Sequence, residues 1–301
     1  MTATTTVPAA PAPSDPLRQP KAAGGGTTRR RGPGRVAASI ILWGYAIVAL
    51  LPLLIMVMSS LRTNMQLATD PLGLPTSPTF AAYRRAWTQG QFGAYFLNSL
   101  LVTIGAVALS TAVSTAAAYA LARSNSRIMR VLEALFLSGL MLPIHLAVLP
   151  IFYLFDGVGL IDSRIGLILL YGAGGVPFSV FVLGAFFRQV PGELEEAAAI
   201  DGAGPWRVFT TIMIPLVRPA LATVAVFRFV PIWNDFLFPL VLLRSDSKYT
   251  LPVGLSTFFG EHANDYSTIF AGLVITTLPL IALFAIATKQ IVAGLTAGMS
   301  K

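Results

Sequence analysis

Six apolar runs, each long enough to cross a lipid bilayer, constrain this 301-residue chain more than any other feature. A helix needs about 20 residues to span the hydrocarbon core, and the runs lie near residues 36–58, 95–121, 129–155, 165–187, 219–243 and 268–292. They are apolar on every face, unlike the helices on the surface of a soluble domain, which carry a single apolar stripe. Lipid offers backbone amides no partner, so each run is expected to satisfy its own groups as a helix. The expected fold class is therefore an all-α membrane protein with six transmembrane helices. Only 11% of residues are charged and mean hydropathy is +0.72, against roughly 25% charged in an ordinary soluble domain. Cysteine is absent, which excludes a disulfide frame, a thiolate metal site and a cysteine nucleophile.

The net charge of +8 does not point to nucleic acid, because the basic residues sit between the apolar runs and form no single face. Six of them (Arg18, Lys21, Arg29, Arg30, Arg31 and Arg35) lie in the first 35 residues. With the N-terminus inside, the cytoplasmic connections carry 14 Lys and Arg and the external ones carry 6, with Arg228 inside a span. The positive-inside bias then places both termini in the cytoplasm. Residues 1–35 are a low-complexity mixture of Pro, Ala, Thr, Gly and Arg, expected to be a disordered cytoplasmic tail. The run that follows is too long for the core of a secretory signal, so it reads as a retained anchor. The first helix and a Pro-broken external loop occupy 36–94, the other five spans lie within 95–292, and a cytoplasmic tail follows at 293–301.

Between the fourth and fifth runs lies a segment that a plain linker would not need: Glu196-Ala197-Ala198-Ala199-Ile200-Asp201-Gly202-Ala203, followed by Ile212, Ile214 and Pro215. Pro191 suits the first turn of a helix, and Glu193, Glu195 and Glu196 suit the positive end of its dipole. Leu194, Ala197, Ala198 and Asp201 fall at helical spacing, expected to share one face. Gly202 and Gly204 then stop the helix, and Pro205 opens a second one in which Phe209, Ile212 and Met213 point together. Three clustered carboxylates suit an anionic membrane surface poorly. A cytoplasmic handle gripped by another protein is the functional reading.

Nothing in the chain suggests catalysis or nucleotide binding. No Gly-x-x-x-x-Gly-Lys-Ser/Thr loop occurs, and none of the four lysines follows a glycine. His145 and His262 stand alone, with no metal spacing, and His145 is expected to serve as a helix-packing partner. Polar groups inside spans are costly and therefore candidates for a solute path. In the fifth span Arg228 and Asp235 are seven apart, so an internal ion pair is one reading. The other places Trp233, Asn234 and Asp235 on an aqueous pathway, as an aromatic platform with hydrogen-bonding groups suited to a sugar ring. Gly172, Gly174, Gly175 and Pro177 are expected to break the fourth helix near mid-bilayer. Ser110, Ser114 and Ala118 form a small-residue ridge for helix packing.

From about Tyr95 onward the chain resembles the permeases of carbohydrate ABC importers, the binding-protein-dependent branch that includes the smaller maltose permease. The Glu-Ala-Ala segment carries the resemblance to the importer superfamily. Asn98-Ser99, Trp233-Asn234-Asp235-Phe236, Tyr249-Thr250-Leu251 and the closing Gly294-Leu295-Thr296-Ala297-Gly298 favour the sugar branch. The resemblance implies a type I importer fold over 95–292 in a bacterial cytoplasmic membrane. It implies a second permease, two ATPase subunits that bind the ATP and Mg, and an extracytoplasmic solute-binding protein, with no cofactor in this chain. Glu196, Ala197, Ala198, Asp201, Gly202, Ile212 and Pro215 would form the ATPase-coupling loop, and residues 294–301 would reach toward the ATPase interface. A permease for a non-sugar solute such as glycerol phosphate or phosphate, or a secondary transporter that needs no ATPase, are the alternatives.

Overall fold

The computed structural model describes residues 33–261 and 264–297. The assignments for residues 1–32, for His262 and for the last four residues fall outside them. Among the described residues every regular element is helical. The chain divides into two compact units, Met1–Leu50 and Leu51–Lys301. The described part of the first unit is one apolar stretch of helix, with Ile40, Ile41, Trp43 and Ile47 all exposed.

The second unit begins within the same helix, α1 (Pro33–Ser60), and continues through two short external helices, α2 (Asn64–Thr69) and α3 (Ala81–Thr88). Two long helices then form its spine, α4 (Phe92–Arg123) and α7 (Arg164–Gln189), the most extensive helix pairing in the protein. Their seam is made of small residues. Ala106, Ser110, Ser114 and Ala118 on α4 are fully buried, as the small-residue ridge requires. Gly105 receives the Ile168 side chain and Gly172 receives Leu109, where a Cβ would lie 2.6 Å from a Leu109 methyl.

The breaks fall elsewhere than the glycine run suggests. The fourth span, α7, is continuous. The third span is broken into α5 (Arg127–Gly139), a 3-10 turn (Ile144–Ala147) and α6 (Val148–Gly157), with an 85° bend. Pro143 explains this, since it lacks an amide donor and biases Leu142 away from helical backbone. The glycines of α7 serve packing instead. Leu109 fills the space at Gly172, Ile144 approaches Gly174, the Arg228 guanidinium lies on Gly175, and Pro177 abuts Gly139.

The fifth run is also two pieces, α11 (Arg218–Asn234) and α12 (Leu237–Leu242), interrupted at Asp235 and Phe236. Pro239 accounts for the interruption, because its ring would collide with the Asp235 carbonyl in a continuous helix. A short helix, α13 (Leu251–Glu261), precedes the last span, α14 (Tyr266–Ala297), which continues five residues past the expected end at 292.

Two polar locks hold the external connections. Asp265 caps α14 through the Thr268 amide and also accepts bonds from Asn64, Arg85, Ser267 and the Thr268 hydroxyl, fixing α2 and α3 against the final span. Asp162, at φ 56°, accepts from the Arg244 and Ser245 amides and from Lys248 at 2.7 Å. Burial raises both carboxyls, yet the hydrogen bonds to Lys248 and Ser245 at Asp162, and to Thr268, Asn64 and Arg85 at Asp265, hold both well below the ordinary carboxylate range. The stability they contribute is therefore fully present above about pH 4 and lost as pH falls toward the depressed values.

Helix α13 approaches α4 closely enough that a Cβ at Gly254 would lie 2.1 Å from the buried Tyr95 ring. Gly254→Ala should destabilise the fold by about 1–3 kcal/mol through overpacking. Gly157→Ala meets nothing within 4 Å and should be neutral or slightly stabilising. Thermal unfolding of the two variants in detergent checks this; equal midpoints would refute the close approach.

Candidate functional site

The hairpin between the fourth and fifth spans is a pair of short helices with a tight turn. Helix α8 (Glu193–Ile200) carries its carboxylates in the first turn, where the helix dipole favours them. It ends in a Schellman turn: Ala203 N–H donates to the Ala198 carbonyl at 2.9 Å and Gly202 N–H to the Ala199 carbonyl at 3.0 Å. Gly202 sits at φ 79°, a left-handed conformation that a residue with a Cβ adopts at a cost. Beyond the turn come α9 (Pro205–Arg207), a π-helical turn over Val208–Met213 and α10 (Ile214–Leu216), and this segment meets α11 at a 72° bend.

The seven residues singled out in the hairpin divide into two sets. Glu196, Ala197, Asp201 and Gly202 are exposed. Ala198 is buried, so its small side chain closes the hairpin on its own core instead of joining Leu194, Ala197 and Asp201 on an outward face. Ile212 and Pro215 are half-buried, and Ile212 packs inward with Phe209 and Met213 against the ends of α4 and α7. Two large apolar residues not anticipated from the sequence flank the turn, Ile200 at 87% exposure and Trp206 at 76%. Exposed apolar residues beside exposed acids form the composition of a docking surface.

Glu195, legible in the sequence only as one of three carboxylates at the start of the helix, has partners that the sequence did not reveal. It forms an ion pair with Arg123 at the end of α4 and accepts the Tyr119 hydroxyl at 2.7 Å. Arg123 also donates to the Val190 carbonyl at 2.9 Å, so one guanidinium spans both the approach to the hairpin and its first helix. The Tyr119 ring packs on Phe187 and Phe209, from the segments before and after α8. Tyr119 and Arg123 are one helical turn apart, the only sequence hint available.

A second feature lies where the broken third and fifth spans meet α7. A cavity of about 370 Å³ is lined by His145, Tyr171, Gly174, Arg228, Asn234, Asp235 and Phe238, among others. Of the three residues placed on an aqueous pathway from the sequence, Asn234 and Asp235 line this cavity and Trp233 does not. Its indole is 1% exposed, stacked on Phe229 and edge-on to Phe96, with Nε1 donating to the Thr276 carbonyl at 3.0 Å. At the end of α11 successive side chains diverge by about 100°, which sends Trp233 into the core and Asn234 toward the cavity. The expected Arg228–Asp235 ion pair is not formed either. Arg228 donates to the Tyr171 carbonyl, and Asp235 accepts the Tyr171 hydroxyl. His145 is exposed at the 3-10 turn, where its ring lies 5.7 Å from that of Phe238 and it lines the cavity.

Residues 111–296 match the family described as binding-protein-dependent transport system inner membrane component. The chain is 36% identical to the diacetylchitobiose uptake system permease protein NgcG of Streptomyces coelicolor, over 87% of this chain and 86% of that protein. It is 32% identical to the melibiose/raffinose/stachyose import permease protein MelC of Bacillus subtilis, over 83% of this chain and 91% of that one. Among solved structures, a chain of a bacterial ABC transporter involved in import of the acidic polysaccharide alginate superposes with a TM-score of 0.75 at 24% identity, over 84% of this chain and 95% of the other. That likeness establishes the fold, and the sequence matches establish the kinship: the chain belongs to the binding-protein-dependent inner-membrane components of ABC importers, as a multi-pass permease subunit with the type I fold.

Proposed function

We propose that this permease imports a sugar or oligosaccharide and that the hairpin receives the force of ATP-driven closure from separate ATPase subunits. The observation that carries the coupling role is the hairpin's two-sided construction. Glu196, Ala197, Ile200 and Asp201 face outward, while Glu195 and Ala198 bind the same helix to the transmembrane core. A surface that is both exposed and firmly seated can pass displacement inward. The sugar reading is supported by relatives whose names describe uptake of diacetylchitobiose and of melibiose, raffinose and stachyose.

In this mechanism the chain works beside a second permease, two ATPase subunits and an extracytoplasmic solute-binding protein, with both termini and the hairpin in the cytoplasm. Closure of the ATPase pair on ATP and Mg draws the docked hairpins together. The spans then swing as rigid bodies between inward-open and outward-open arrangements, and the loaded binding protein favours the outward-open one. Exposed Glu196 makes a charge-assisted contact to a basic group of the ATPase. Ala197 lets that surface approach the backbone, and Gly202 sets the turn that presents both.

Glu196→Lys and Gly202→Asp should leave membrane insertion and assembly with the second permease intact while abolishing ATP-dependent uptake. Wild-type uptake by both variants in proteoliposomes would remove the coupling role. The seating of the hairpin is tested separately. Arg123→Ala should lower uptake roughly fivefold or more, the lower range of coupling between distant sites. The exchanged pair Arg123→Glu with Glu195→Arg should recover part of the loss. Failure of the exchange, with Arg123→Ala transporting normally, would show that the ion pair transmits nothing.

A further inference from the structure

Two opposite charges face the cavity between the broken spans without pairing to each other. Arg228, midway along α11, donates one Nη to the Tyr171 carbonyl at 3.0 Å, and its Nε is buried with no partner. It lies on Gly175, where a Cβ would come within 2.6 Å of that Nε, so the glycine is what admits the guanidinium. Asp235 accepts the Tyr171 hydroxyl at 2.7 Å and the Leu237 amide at 2.9 Å. A continuous helix would bring residues 228 and 235 onto one face. The helix stops at Asn234, however, and Asp235 takes extended backbone at φ −70°, ψ 130°, which turns its carboxylate to Tyr171. Among the described residues the ion pairs are Arg85–Asp265, Arg123–Glu195, Arg188–Glu133 and Lys248–Asp162, and none includes Arg228.

Ionic groups held inside a span without a direct ion pair are costly and mark a functional site by default. Resting on the sugar-import reading above, we propose that this cavity is a solute subsite within this subunit and that it selects uncharged saccharides. A neutral polyhydroxy ring satisfies both charges at once, since its hydroxyls accept from Arg228 and donate to Asp235. An anionic sugar would gain Arg228 and be repelled by Asp235, and a cationic one would meet the reverse. Asn234 also lines the cavity and donates one side-chain N–H to the Val230 carbonyl at 2.9 Å. Pro231, Ile232 and Phe238 supply an apolar wall for the carbon face of the ring. The volume of about 370 Å³ falls within the range of about 300–1,000 Å³ typical of small-molecule sites.

The test uses the complete complex of both permeases and the ATPase pair in nanodiscs, with saturation-transfer NMR to read weak binding directly. The probes are diacetylchitobiose, melibiose and raffinose as neutral saccharides and digalacturonate as the anionic one. The wild-type complex should transfer saturation to at least one neutral saccharide and not to digalacturonate. Arg228→Gln and Asp235→Asn, assembled in wild-type yield, should each weaken that binding about tenfold, the loss of one charge-assisted hydrogen bond. Asp235→Asn should in addition admit digalacturonate, a change of preference that a purely structural role would not produce. Binding of digalacturonate in preference by the wild type, undiminished neutral binding in both variants, or full recovery in Arg228→Asp with Asp235→Arg would overturn the subsite. ATP-dependent uptake with the binding protein, measured in parallel, separates the two readings. Uptake of a saccharide without a binding signal removes only the subsite, whereas no uptake of any saccharide removes the sugar reading as well.

Discussion

The close approach of α4 and α7 is the constraint on which the other features depend. Lipid gives helices no hydrophobic reason to associate, so contact must come from packing, and small residues permit the most of it. Ala106, Ser110, Ser114 and Ala118 on one helix, with the Gly105–Ile168 and Leu109–Gly172 interlocks, make this seam. Both functional regions are built on its two helices. Arg123 and Tyr119 sit at one end of α4 and hold the hairpin. At the other end Asn98 donates to the Ser247 and Tyr249 carbonyls and accepts from Arg164, while Ser99 accepts the Leu251 amide, tying in the external loop before α13. On α7, Tyr171 meets Asp235 through its hydroxyl and Arg228 through its carbonyl.

The sequence made some of this legible and concealed the rest, for reasons that differ by residue. Long apolar runs and the small-residue ridge on α4 depend on local composition, so they could be read directly. The turn at Gly202 could too, because the need for a left-handed backbone leaves a glycine behind. The function of the glycines in α7 could not, because a helix-breaking glycine and one that admits a neighbour look identical until the neighbour is known. Here the neighbours are Leu109, Ile144 and Arg228, each distant in the chain. Glu195 was hidden among three carboxylates for the same reason: its partner Arg123 lies 72 residues away. Trp233 was misplaced by reading three consecutive polar or aromatic residues as one surface, although a helix sends consecutive side chains in different directions.

α7 stays continuous, while the third span bends by 85° near Pro143 and the hairpin meets α11 at 72°, so the breaks fall in the elements that flank α7. The hairpin is fastened to α4 through Arg123 and its second half leads through a 72° bend into α11. Under the proposed coupling role, a displacement of the hairpin reaches two places, the seam helix α4 and the base of α11. α11 carries Arg228, Asn234 and the approach to Asp235, whereas Tyr171 belongs to α7. If the base of α11 tilts against the α4–α7 pair, the Arg228–Tyr171 and Asp235–Tyr171 bonds are the ones strained. On the proposed coupling and subsite roles, solute contact and force transmission share one tyrosine, and α11 alone links the hairpin to the cavity.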